Sequence, residues 1–282
     1  MRRRVEEKIF KFLMIISLIF VFGSLLLILA TIFLKGLSSL SLNILLKTPK
    51  GGYYLGREGG ILNAILGSLV LGISSTFLSF LLSLPIAFYL NNFLKRGSNF
   101  ALFVRFSLDV LWGIPSIVYG AFGFTIMVLI GLKTSLLAGI ITVSFLILPI
   151  MARSMDEVLK MIPSELKEAS YALGANKIET SIKVVMRQAF PGILTAVIVS
   201  FGRGIGDAAS VLFTAGFTDN LPTSLFKPVA TLPLAIFFQI STPFPEVQKR
   251  GYASAFILTL IVFLISIISR ILSKRFSRYR VR

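Results

Sequence analysis

The chain has 282 residues, 55% of them hydrophobic, with a mean hydropathy of +0.88 and a formal charge of +17 from 29 Lys+Arg against 12 Asp+Glu. Such apolar content excludes an ordinary soluble domain. The absence of Cys and His excludes disulfides and thiolate metal sites and removes the commonest general base and metal ligand.

Six membrane-spanning helices are predicted in an all-α chain, in runs close to or above the roughly 20 apolar residues that one span needs. The first, Ile9–Leu34, follows MRRRVEEK. It is too long for a signal-peptide core and has no small-residue cleavage site, so a retained anchor is expected. The second, Ile61–Leu90, follows the loop GGYYLGREGG. The third lies within Ala101–Ile130, where Pro115 predicts a kink or break. A broken helix can aim a half-helix N-terminus at an anion, with Ser116 as a hydrogen-bond donor; a plain kink is the alternative. Arg105 and Asp109, early in this span, are expected to pair at i,i+4. Ser135–Met151, Gly192–Ala215 and Gly251–Leu272 are the remaining three.

Counting basic residues orients the chain. With the N-terminus in the cytoplasm, 20 of the Lys and Arg residues fall in inside segments, 8 in outside segments and one, Arg203, within a span. The bias places both termini in the cytoplasm. The excess of positive charge is therefore that of membrane-protein loops. Nucleic acid is not expected, because no basic patch carries interleaved aromatics outside the apolar runs.

Two segments break the pattern of spans and loops. Residues 152–190 form a long inside loop with apolar positions at helical spacing, Leu166, Ala169 and Leu173, then Ile178, Ile182 and Val185. Gly174 and Asn176 between the runs predict a helix–turn–helix. The outside loop 216–250 contains ATLPLAIFFQI, too short to span, and a surface or re-entrant helix is expected there.

The most informative stretch for chemistry is FGRGIGD, residues 201–207. In the predicted fifth span Arg203 lies about ten residues from either end, near the bilayer midplane. An ionisable group there costs about 2.5–3.5 kcal/mol on insertion scales, so it should be paired and turned to a protected interior. Asp207 stands at i+4, and Gly202, Gly204 and Gly206 leave room for a close neighbour or ligand. A self-contained ion pair is one reading. An anion-binding guanidinium fork is the other.

Glu168-Ala169-Ser170, three residues, Gly174, nine residues and Val184-Val185-Met186 resemble the EAA loop of ABC importer permeases, with Arg187 where proline is usual. Without that spacing the hairpin would read as an amphipathic pair lying on headgroups. The segments GGILNAILGSLVLG, IPSIVYGAFGF, LKEASYALGANKIETSIKVV and GRGIGDAASVLFTAG are similar to phosphate-uptake permeases of the PstA type, over nearly all of residues 58–270. Asp207, Ala208 and Ser210 depart from the Glu-Thr-Ala-Pro usual there.

That resemblance implies a MetI-like type I permease fold with a cytoplasmic coupling hairpin. It divides the chain into residues 1–57, with the first helix and an outside loop, a core at 58–272 and a basic tail at 273–282. It implies a phosphate path using Arg203 and Asp207. The fork would take the anion, and the carboxylate would hold the fork when empty. Arg153, at the end of the fourth span, is either an ordinary flanking charge or part of the exit path; Ser116 joins the path as a donor. Glu168, Ala169, Ser170 and Gly174 would couple to an ATPase. No G-x-x-x-x-G-K-[ST] loop occurs, so no cofactor is expected in this chain, and ATP and Mg would be bound by two partner ATPase subunits. A second permease subunit, an extracytoplasmic phosphate-binding protein and membrane lipid complete the expected partners. Permeases for sulfate or molybdate, a stand-alone ion-coupled carrier, an anion channel and an intramembrane enzyme are the alternatives.

Overall fold

The computed structural model describes residues 2–50, 59–95 and 97–277. Most of the GGYYLGREGG loop with Arg57, the expected boundary at 57/58, Arg96, and Arg278, Arg280 and Arg282 of the basic tail lie outside the described residues. The peripheral helix α1 (Arg2–Ser39) and short α2 (Leu42–Leu46) lead to α3 (Leu62–Phe93), whose last turn, Tyr89–Phe93, is π-wound. Then come α4 (Asn99–Gly113), α5 (Ser116–Leu129), α6 (Leu136–Lys160) and α7 (Ser164–Ala172). Next are α8 (Lys177–Ile205), π-wound over Thr180–Val185, α9 (Leu232–Ile240) and α10 (Pro245–Ser277). Among the described residues five helices are long and apolar enough to cross a membrane, six if α4 and α5 count as one broken span.

The central helix is α6. Of its most apolar stretch 72% is buried, against 11% for α10 and 0% for α1. Leu136, Val143, Ile147, Met151, Met155 and Leu159 form its inner face. Opposite it, α3 presents small residues, Gly72, Ser75, Ser79 and Ser83. Helices in lipid gain little from excluding water from apolar side chains, so close packing and interhelical hydrogen bonds hold them together, and small residues permit both. Ser144 donates to the carbonyl of Ser75 at 3.1 Å, and Ser83 to that of Leu148 at 3.2 Å. At the periphery, α1 docks on α10 through Phe33 against Phe256, ring centroids 5.1 Å apart, and Lys35 over the Tyr252 ring.

The third predicted span is two helices meeting at 99°. Proline disfavours helical backbone in the residue before it. Ile114 is extended accordingly (φ −72°, ψ 130°), and so is Pro115 (φ −58°, ψ 139°), which severs α4 from α5.

The predicted fifth span, Gly192–Ala215, is displaced. Its helix starts earlier, at Lys177, and stops at Ile205. Residues 207–216 turn back into the protein instead, 220–228 run along its surface, and 229–231 are buried again. Non-helical backbone is tolerated inside a membrane protein where it is enclosed and hydrogen-bonded. Ser210, Val211, Thr214 and Ala215 are buried, and the N-terminal turn of α6 closes on this segment. Ser135, Leu136 and Leu137 donate N–H groups to the carbonyls of Thr214, Lys227 and Leu225 at 3.0, 2.8 and 2.8 Å. Helix α9 is likewise enclosed, with Leu232, Leu234 and Ala235 fully buried and the Leu232 N–H bonded to Ser68 Oγ at 2.7 Å. Of the two expected forms, a surface helix does not fit, because most of α9 is packed inside the protein and Phe237 is its exposed residue.

The long loop predicted at residues 152–190 is also shorter than expected. Its ends are taken up by α6, which continues to Lys160, and by α8. Only α7 and two short turns remain between them.

Candidate functional site

Arg203 lies in the last turn of α8, two residues before its end, and not near the middle of a span. It stands 16 residues beyond Arg187, about 24 Å along a helix axis. Cations are favoured at a helix C-terminus, where carbonyls lack partners. Asp207 lies past the helix end, so the pair does not share a helix face. Its carboxylate instead caps the turn that follows, with Oδ2 accepting the Ser210 N–H at 2.8 Å. Asp207 Oδ1 is 3.4 Å from Arg203 Nη1.

The two partners are unlike in exposure. The Asp207 side chain is 4% exposed and that of Arg203 49%. A charge-assisted N–H···O bond usually spans about 2.7–2.9 Å, so the pair is loose. Guanidinium carries five N–H donors, and most of those on Arg203 remain available. A buried acid therefore anchors an accessible cation without saturating it.

Helix α5 backs this turn. A Cβ on Gly120 would lie 2.8 Å from the Ala209 carbonyl oxygen and 2.9 Å from that of Ser210. Backbone at this distance has no flexible end that can give way. Gly120→Ala is expected to destabilise the protein by about 1–3 kcal/mol, read as a lower thermal midpoint of the solubilised complex. An unchanged midpoint would mean that α5 is not seated on the turn. Ser116 is in the first turn of α5 and is half-buried.

Arg153 is committed elsewhere. It lies within α6, and its guanidinium contacts Asp109 at 2.6 Å, Asp156 at 2.6 Å and Glu157 at 3.0 Å. The expected Arg105–Asp109 pair is replaced by two tertiary pairs. Arg105 binds Asp156, with Nη2–Oδ1 at 2.9 Å, while Asp109 binds Arg153. Asp156 was not singled out in the sequence. Its spacing from Arg153 is a local signal, but its partners on α3 and α4 have none.

The hairpin is built as its turn residues predict. Gly174 has φ +83° with open space around it, so left-handed backbone rather than close packing is what requires glycine there. Asn176 and Glu179 form a reciprocal capping box at the start of α8, with bonds of 2.9 and 3.1 Å. Glu168 and Ala169 are exposed. Ser170 turns inward, and its hydroxyl meets that of Thr180 at 2.9 Å, tying the two arms together. Helix α8 passes Arg187 without a break.

The chain is similar to known proteins over most of its length. Residues 79–279 match the family described as binding-protein-dependent transport system inner membrane component. The phosphate transport system permease protein PstA of Yersinia pestis is 33% identical over 270 residues, covering 96% of this chain and 90% of its own. The chain belongs to the PstA phosphate-permease family. The PstA protein of Haemophilus influenzae is 32% identical, covering 95% of this permease and 94% of its own length. Among solved structures, the inward-facing MetNI methionine ABC transporter superposes with a TM-score of 0.62 at 21% identity, covering 77% of this permease and 95% of that chain. The bacterial alginate ABC transporter gives 0.65 at 12% identity, covering 95% of both. These two share the MetI-like fold. This permease is thus a multi-pass membrane subunit of an ABC importer, not an enzyme.

Proposed function

We propose that this permease carries inorganic phosphate across the cytoplasmic membrane by alternating access, as one of two membrane subunits of an ATP-driven importer. The observation that carries the reading is the accessible guanidinium of Arg203, loosely held by buried Asp207 at the end of a membrane helix. An anion path must bind its ion well enough to admit it and weakly enough to release it. Phosphate oxygens match the fork of Arg203, and the displaced Asp207 remains to take the fork back. Ser116 is a second donor in this reading, because α5 packs on the Asp207 turn one helical turn further on. Arg153, already bound by three carboxylates, acts on the path by fixing α4 against α6.

Both termini lie in the cytoplasm in this orientation, on the strength of the basic-residue count. The hairpin then meets the ATPase. Its tip carries exposed Leu173, Ile178 and Ile182 beside Glu168 and Ala169, and contiguous exposed apolar side chains mark an interaction surface. Two ATPase subunits bind ATP and Mg, a second permease completes the pathway, and an extracytoplasmic phosphate-binding protein delivers the anion to the opposite face.

Reconstitution with those partners tests the reading. Wild-type complex is expected to take up phosphate in preference to sulfate and molybdate when ATP and binding protein are supplied, and vesicles containing this chain alone are expected to take up none. Charge reversal in Glu168→Lys should lower ATPase retention and uptake about tenfold. Equal uptake of sulfate, or transport by the lone chain, would overturn the proposal.

A further inference from the structure

A polar relay links the hairpin to the broken helix. Its centre is Asp156 on α6, whose side chain is 0% exposed. Four side chains converge on that carboxylate. Arg105 reaches both oxygens, with Nε at 3.2 and 3.0 Å and Nη2 at 2.9 Å. Asn91 donates to Oδ1 at 2.8 Å. Arg153 and Lys160 approach Oδ2 at 2.6 and 2.8 Å.

Asn91 lies in the π-wound turn that ends α3, and its amide also donates to the Ala87 carbonyl at 2.8 Å. The backbone carbonyl of Asn91 accepts from Lys167 Nζ at 3.4 Å, and Asn92 Oδ1 accepts from the same ammonium at 2.8 Å. Lys167 is on α7, adjacent to Glu168. Contacts therefore run unbroken from α7 through the π turn and Asp156 to Arg105 on α4. The Arg153–Asp109 pair clamps α4 to α6 a second time.

Asp109, Asp156 and Glu157 are matched by Arg105, Arg153 and Lys160. Lys167 bonds the Asn91 carbonyl and Asn92 Oδ1 at the edge of this network. Its place at the junction suits transmission. A π turn is a local irregularity in an α-helix, frequent at functional sites, and a closely packed ionic cluster passes displacement on as a unit.

We propose that Lys167 is a positioning residue of transport: by its bonds to Asn91 and Asn92 it conveys movement of α7 to the Asp156 clamp, and so to α4 and to α5 beyond the Pro115 break. This rests on the reading of α7 as part of the ATPase-docking hairpin. The test uses the complete reconstituted complex and three readouts: ATPase retained on purification, ATP hydrolysed, and inorganic phosphate taken up per ATP. Lys167→Met is expected to keep the ATPase bound and hydrolysing while phosphate per ATP falls about fivefold or more. Asn92→Ala should act likewise, the double variant should be no worse than either single one, and Lys167→Arg should restore the ratio to within about twofold, since it keeps a cationic donor. An unchanged ratio in the intact Lys167→Met complex overturns the relay. So does loss of ATPase from that complex, which would make Lys167 a docking contact. Full ATPase retention by Glu168→Lys overturns instead the docking reading beneath it.

Discussion

Arg203→Gln in the assembled complex is expected to lower ATP-driven phosphate uptake about 10- to 100-fold. Hydrogen bonds to a charged group contribute about 1.5–3 kcal/mol, and each 1.4 kcal/mol is about tenfold in an equilibrium. Glutamine keeps one donor amide but loses both the charge and the fork. Assembly should survive, because Asp207 keeps its bond from the Ser210 N–H and the Arg203 side chain is half exposed. Uptake, complex yield and ATP hydrolysis have to be measured together on the same preparation. Asp207→Asn is the informative companion. It can still accept from Ser210 while no longer competing for the guanidinium, so phosphate should bind more tightly and leave more slowly. Undiminished uptake by Arg203→Gln would make the pair a structural one and send the search for the path to α5 and the 218–228 segment.

The outcome depends on where the helix ends, and there the sequence and the structure part. Apolar runs placed α1, α3, α6 and α10 well, since a span in lipid must be both long and apolar. The same criterion merged α8 with AASVLFTAG, because hydropathy does not register a helix terminus. The terminus was nonetheless written in the residues. Gly202, Gly204 and Gly206 weaken the helix, and Asp207 followed three residues later by Ser210 is cap chemistry. Arg105 and Asp109 show a different failure. An i,i+4 ion pair adds only about 0.3–0.5 kcal/mol, so partners from another helix displaced it once α6 brought Asp156 and Arg153 alongside. Neither contact has a local signature. The hairpin was legible for the opposite reason, since Gly174 and the Asn176–Glu179 box act within a few residues of chain. The turn at Gly174 and the break at Pro115 are thus sequence-encoded, whereas the relay between them exists only in three dimensions.

Loss of the relay's centre should cost the fold itself, in contrast to loss of Arg203. Asp156→Ala is expected to destabilise the protein by about 3–5 kcal/mol, the usual result of removing one partner from a buried ion pair. Arg105, 20% exposed, would lose its carboxylate, and the Asn91 amide would lose one of its two acceptors. The measurement is the yield and thermal midpoint of solubilised complex against wild type. Asp109→Ala offers the control. Its carboxylate is 50% exposed and Arg153 retains Asp156 and Glu157, so a change of about 1 kcal/mol or less is expected. Replacing both partners, as Arg105→Met with Asp156→Met, should recover much of the loss, because two apolar side chains remove the unpaired charge along with the pair. Stability recovered without coupled transport would separate the two roles of the cluster, holding α4 against α6 and carrying the movement of α7. If Asp156→Ala is tolerated at wild-type stability, the carboxylate is hydrated in the working complex, and a clamp of buried charges cannot be what joins these helices.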